Sequence, residues 1–188
     1  MMKKNLSLIA AFLLAWSAAP ALGADAHTHG VASLNMAVEG DTLEIGFETP
    51  LINLISFEHA PRNDKERQEA RKMAEILRNP GALFLFPKEA QCSLKSARLE
   101  SEAIADELGH DDHDAKTEEA KHDHDEGEEH GDLDAEFVFT CRNPALLNRI
   151  EVALFKAFPS LKSIEAQLVT PRGQKAAKLT PRANRIQW

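Results

Sequence analysis

Apolar and polar positions alternate after Gly30. Ala32, Leu34, Met36 and Val38 are separated by Ser33, Asn35 and Ala37, and Leu43, Ile45 and Phe47 by Glu44 and Gly46. A period of two sends successive side chains to opposite faces of a strand. With Glu39-Gly40-Asp41 between the two runs, the pattern predicts a β-hairpin. From Pro50 to Pro61 the apolar residues crowd together, and positions 51, 54, 55 and 58 share a face at helical spacing, which predicts a short helix. Asn63, three residues before Glu66, reads as the N-cap of a longer helix running to about Arg78. Its buried side would carry Ala70, Met73, Ala74 and Leu77, and Asn79-Pro80-Gly81 would stop it.

Leu83 to Phe86 predicts a short strand before Pro87. Another runs from about Ala90 to Leu99, with Ala135 to Arg142 as its partner, where Phe137, Phe139 and Cys141 alternate. Asn143-Pro144 predicts a helix start, with Asn as cap and Pro at the first helical position; Leu147, Ile150, Leu154 and Phe158 form its stripe and Pro159 ends it. Ser163 to Thr170, the turn Pro171-Arg172-Gly173 and Gln174 to Leu179 give a last hairpin. Hairpins dominate and no βαβ alternation appears. The expected fold class is α+β: a mostly antiparallel sheet built from hairpins, with two main helices and a disordered His/Asp/Glu-rich loop.

Composition adds a compartment. Lys3 and Lys4 precede an apolar run from Leu6 to Ala15, followed by the small residues Ala18, Ala19, Ala21 and Gly23. The run is shorter than the ~20 residues that span a bilayer, so residues 1–23 read as a cleaved secretory signal peptide. Residues 24–188 then form one domain, large enough for a core, with an insert at about 101–133. Export implies the periplasm, and no later segment is apolar enough to span a membrane. Cys92 and Cys141 are the only cysteines; in an oxidising space an even pair favours a disulfide, against the alternative of two metal-binding thiols. If 92 faces 141 in an antiparallel pair, then 94 faces 139, 96 faces 137 and Glu100 meets Leu133. The insert is then the loop of a hairpin clipped at its base.

Charge divides the chain sharply. Net charge is −8, yet Asp106 to Asp132 alone holds thirteen Asp/Glu and two Lys, a local −11 that leaves +3 for the rest. That excludes the basic face a nucleic-acid binder needs. The same segment holds His110, His113, His122, His124 and His130, five of the eight histidines, nearly all beside an acidic residue. It has too little hydrophobic content to bury a core and should be disordered without metal. Neutral imidazole suits Zn2+, Cu2+, Ni2+ and Co2+, and zinc also accepts carboxylate oxygen. The bland alternative is a solvated acidic linker, which does not explain the histidines. A second group is His27-Thr28-His29 with His59, which would form a three-nitrogen site if the first strand begins beside the Glu58-His59 turn. Glu58 would then be a fourth ligand or an orienter.

His27-Thr28-His29-Gly30, followed by Ala32-Ser33-Leu34-Asn35-Met36-Ala37-Val38-Glu39-Gly40, resembles the opening of ZrgA-type periplasmic zinc-uptake proteins. So do Phe57-Glu58-His59-Ala60-Pro61 and the His/Asp/Glu insert before an aromatic strand and cysteine. The resemblance implies a periplasmic protein that binds zinc at His27, His29, His59 and the insert histidines and assists an ABC-type zinc importer. Catalysis is not expected: there is no His-Glu-x-x-His, no Gly-x-Ser-x-Gly and no Gly-rich phosphate loop. The remaining alternatives are a general divalent-metal buffer, a copper or nickel tolerance protein (imidazole sites intrinsically prefer Cu2+), and a protein adaptor whose loop buffers metal only incidentally.

Overall fold

In a computed structural model, which describes residues 28–109 and 131–188, the hairpin after Gly30 forms as β1 (Val31–Glu39) and β2 (Thr42–Pro50), paired antiparallel with Met36 opposite Ile45. The period-two pattern sets its faces: Leu34, Met36, Leu43, Ile45 and Phe47 are buried, while Asn35, Glu44 and Glu48 face solvent. Burying a large apolar side chain stabilises by about 1.5–3 kcal/mol. A one-residue slip, which would turn these five outward, therefore costs on the order of 10 kcal/mol. Residues 1–23, expected to be a signal peptide, His27, and the insert histidines His110, His113, His122, His124 and His130 lie outside the described residues.

β3 (Phe84–Leu85) and β4 (Cys92–Glu100) follow, then β5 (Asp132–Cys141), β6 (Arg149–Val152), β7 (Ser163–Thr170), β8 (Gly173–Leu179) and β9 (Arg185–Gln187). Six of them make one sheet in the order β4-β5-β2-β1-β7-β8. Four of its five junctions are antiparallel, but β1 and β7 run parallel, with Leu34 opposite Ala166. The sheet is therefore mixed: mostly antiparallel as expected, with one parallel junction that hairpins do not make. The remaining three strands make a small antiparallel sheet, β3-β6-β9. It packs on the inner face of the large one through Phe84 against Phe137, with ring centroids 5.5 Å apart, and through the adjoining Phe86 against Phe139 at 4.9 Å.

The long helix α1 (Asp64–Leu77) has the expected cap: Asn63 Oδ1 accepts from Glu66 N–H at 3.0 Å, and Ala70, Met73, Ala74 and Leu77 are buried. It is the only long helix among the described residues; α2 (Ala105–Leu108) and α3 (Leu154–Ala157) have four residues each. The helix expected from Asn143 to Phe158 does not form as one element. Pro144–Leu146 is a 3-10 turn, Arg149–Val152 is strand β6, and only Leu154–Ala157 is α-helical. Leu147, Ile150, Leu154 and Phe158 are all buried as expected, but by different elements. Ile150 and Val152 alternate with charged neighbours, and β3 and β9 supply the hydrogen bonds that make a strand of them. The short helix expected within 50–61 is likewise only a 3-10 turn, Leu51–Asn53. Beyond it Ile55 and Phe57 are buried, so the segment anchors every second residue, not a helical face.

The cysteines face each other as expected. Cys92 pairs with Cys141 and Leu94 with Phe139, and the two thiols are joined in a disulfide. A bulge between Leu94 and Ser96 then shifts the register, so Ser96 meets Val138 and Glu100 meets Asp134, not Leu133. An extra residue in one strand re-aims everything after it; here it places Glu100 beside Asp134 on the solvent face.

Candidate metal centre

His29 sits in the turn that opens β1, where Val31 N–H donates to Thr28 O at 3.0 Å. Gly30, with φ of +84°, lets the chain turn tightly, and its carbonyl accepts from both Lys162 N–H (2.7 Å) and Ser163 N–H (3.0 Å) at the start of β7. The His29 backbone is thus held against the parallel partner strand. Its ring remains accessible: the side chain is 63% exposed, and Nε2 lies 3.6 Å from Oε1 of Glu58, whose side chain is only 15% exposed.

Glu58 belongs to an irregular segment, 54–62, that has no sheet or helix ladder of its own. Its backbone is fixed instead by individual tethers. Ser56 donates through N–H and Oγ to the two carboxylate oxygens of Glu69 on α1, at 2.7 and 2.9 Å. Glu58 O accepts from Gly131 N–H at 2.9 Å, and Gly131 O accepts from Leu51 N–H, also at 2.9 Å. Arg62 N–H donates to Glu66 Oε2 at 2.7 Å; this bond chiefly holds the Glu66 carboxyl below its ordinary range, with the Asn63 amide assisting. Buried Ile55 and Phe57 complete the anchoring.

Glu58 therefore reaches His29 as half of the expected arrangement. Two donors bound to one tetrahedral zinc at about 2.0–2.1 Å each lie roughly 3.3 Å apart, so the 3.6 Å gap between His29 and Glu58 suits a shared ion. His59 is half-buried, with its ring 5.4 Å from that of Phe57 and its Nδ1 2.9 Å from Ala60 O. A carbonyl only accepts, so Nδ1 is the donor of this bond, and in a neutral ring that tautomer leaves the lone pair on Nε2, the atom able to ligate. Among the described residues, no three His, Cys, Asp or Glu side chains gather closely enough to hold one ion. The structure pairs His29 with Glu58 and does not gather His59 with them.

A second acidic region surrounds the points where the chain leaves at Gly109 and returns at Gly131. A cleft of about 670 Å³ there is lined by Glu100, Glu102, Asp132, Asp134, Ser101 and Arg78 among others; Arg78 donates to Leu108 O. Partial burial pushes the Asp134 carboxyl up, and the neighbouring carboxylates Asp132, Glu100 and Glu136 add to the effect. Such a rim raises the local concentration of cations.

Two residues of this neighbourhood had no place in the sequence reading. Asn53 is buried at 1% exposure and was visible only as a polar residue inside the apolar run Leu51-Ile52-Asn53-Leu54-Ile55. Gly131 had no signal beyond being a glycine at the end of the insert. Among the described residues no cysteine is free, and no helix is long and apolar enough to cross a membrane.

Comparison with known proteins adds one finding. The family described as ZrgA family zinc uptake protein matches residues 26–188, which takes in every described element. No curated protein gives a match.

Proposed function

The chain belongs to the ZrgA family of zinc uptake proteins, and on that premise we propose that it captures Zn2+ in the periplasm and assists its uptake by an ABC-type importer. Zinc is the cargo, not a resident cofactor, and no catalytic step is assigned. In this reading residues 1–23 are a signal peptide and 24–188 a single domain; the family match beginning at residue 26 and the Cys92–Cys141 disulfide support export to an oxidising compartment.

The observation that carries the reading at the level of residues is the approach of His29 Nε2 to Glu58 Oε1. We assign to this pair two coordination positions of a site on the folded domain. His27, two residues before His29, is proposed as a further nitrogen ligand, and His59 as a donor brought in on binding or as an orienter. His110, His113, His122, His124 and His130 are proposed as a second, weaker set whose acidic neighbours gather the ion. A site on an already ordered scaffold loses less conformational entropy on binding than one whose chain must first be ordered. The folded-domain site should therefore bind more tightly.

Calorimetric titration of the mature protein with Zn2+, Cu2+ and Ni2+ tests this. Replacing residues 110–130 by a short Gly/Ser linker should remove the weaker phase and keep the tight one; His29→Ala should weaken the tight one measurably, leaving it to its remaining ligands. A tight phase indifferent to His29, Glu58 and His59 would refute the folded-domain site. A preference for Cu2+ or Ni2+ in binding and in the growth of a deletion strain would favour metal tolerance over zinc supply.

A further inference from the structure

The side-chain amide of Asn53 does something its own 3-10 turn does not need. Its Oδ1 accepts from Gly30 N–H at 2.5 Å, and its Nδ2 donates to Val31 O at 2.8 Å and to Thr49 Oγ1 at 2.9 Å. Two of these three bonds cross to the start of β1, 22 and 23 residues away in sequence, and the side chain is buried. An unsatisfied polar group in such a place would be costly, so both Gly30 and Val31 are bound to this one amide. The chain immediately before Gly30 carries His29, and the chain five residues after Asn53 carries Glu58. Asn53 is therefore a cross-brace between the two segments whose side chains meet.

We propose that Asn53 is a positioning residue for zinc: it fixes the His29 turn against the 51–59 segment, and so sets the affinity of the His29–Glu58 site without touching the ion. This rests on the zinc site proposed above. A main-chain displacement of an ångström at Gly30 would move the His29 ring out of reach of an ion shared with Glu58. Residues that orient ligands in this indirect way typically alter metal affinity by about 10–100-fold when removed.

A double-mutant cycle on the full mature chain separates this role from a general loss of stability. Zinc affinity of the tight phase is measured by competition with a chromophoric chelator for the wild type, Asn53→Ala, His29→Ala and the double variant, with urea unfolding of each metal-free protein alongside. The expected result is a loss of at least about tenfold for Asn53→Ala in the wild-type background, and no further loss in the His29→Ala background, while the stability loss is the same in both. Equal affinity losses in both backgrounds, or none in either, overturn the positioning role. If His29→Ala itself leaves the tight phase unchanged, the zinc site falls and this inference falls with it, which is a different pattern of results. Should Asn53→Ala not fold, Asn53→Asp carries the same cycle, because it keeps the acceptor for Gly30 N–H and loses the donor to Val31 O.

Discussion

Replacing Gly131 with alanine should destabilise the protein by about 2–4 kcal/mol. A Cβ at this position would stand 2.6 Å from Glu58 O, 2.8 Å from Leu51 Cδ1 and 2.9 Å from Ala103 Cβ. The first of these is backbone and cannot swing aside. Forcing one extra methyl into a filled space costs about 1–3 kcal/mol. If the chain moves to make room, it weakens the bonds from Gly131 N–H to Glu58 O and from Leu51 N–H to Gly131 O, each worth about 0.5–1.5 kcal/mol net. Gly81 is the control: neither glycine has a positive φ, and an added Cβ at Gly81 meets nothing within 4 Å. Gly81→Ala should be neutral or stabilise by up to about 1 kcal/mol through the unfolded chain. Urea unfolding measures both, with an unchanged slope showing that only stability has moved. The same midpoint for the two variants would refute the steric argument. Because Gly131 also holds the Glu58 backbone, Gly131→Ala should weaken the tight zinc phase, and Gly81→Ala should not.

Five further outcomes are expected. Replacing both Cys92 and Cys141 with alanine opens a loop with a sequence separation of 49 and should cost about 4 kcal/mol in urea unfolding, from the chain entropy it restores to the unfolded state; a loss under about 1 kcal/mol would count against that origin. Asn63→Ala removes the acceptor for Glu66 N–H and should cost about 1 kcal/mol. The Glu66 carboxylate, held below its ordinary 4.5, contributes stability at neutral pH that disappears as pH falls through its lowered value. Asp134 has the opposite sign: its carboxyl is raised above the ordinary 3.8, so the folded state holds its proton more tightly and stability drops as pH rises through that region. It stands directly opposite Glu48 and Glu100, so Asp134→Asn should stabilise by about 0.2–1 kcal/mol at pH 7, less at high salt, and not at all below pH 3.8. Zinc occupancy should fall steeply from about pH 7 to pH 5, since free imidazoles titrate near 6.5 and protons compete with metal; a flat titration would make the histidines bystanders.

The parts of this fold legible in the sequence are those with local causes. The β1–β2 and β7–β8 hairpins follow from alternation and the turn between the runs, α1 from its cap, stripe and stop, and the facing cysteines from antiparallel counting outward from Cys92 and Cys141. The bulge after Leu94 broke that counting, because alternation in β4 alone does not mark where an extra residue is inserted. Residues 147–158 were ambiguous for a related reason. Leu147, Ile150, Leu154 and Phe158 satisfy helical spacing, while Arg149-Ile150-Glu151-Val152 equally satisfies a strand, and only β3 and β9 on either side decide between them.

For the proposed metal centre, the sequence by itself supplied the candidate chemistry: imidazoles and carboxylates concentrated at His27–His29, Glu58-His59 and the insert. Among the described residues, tertiary structure decided which of them meet. His29 is set by Asn53 and by the parallel strand β7, and Glu58 by Gly131 and Glu69. Those bonds join stretches of chain far apart in sequence, and each has a backbone group on at least one side, which every residue carries alike. Residue type can announce a ligand, but a hydrogen bond that ends on a backbone atom leaves no mark of its partner in the order of side chains.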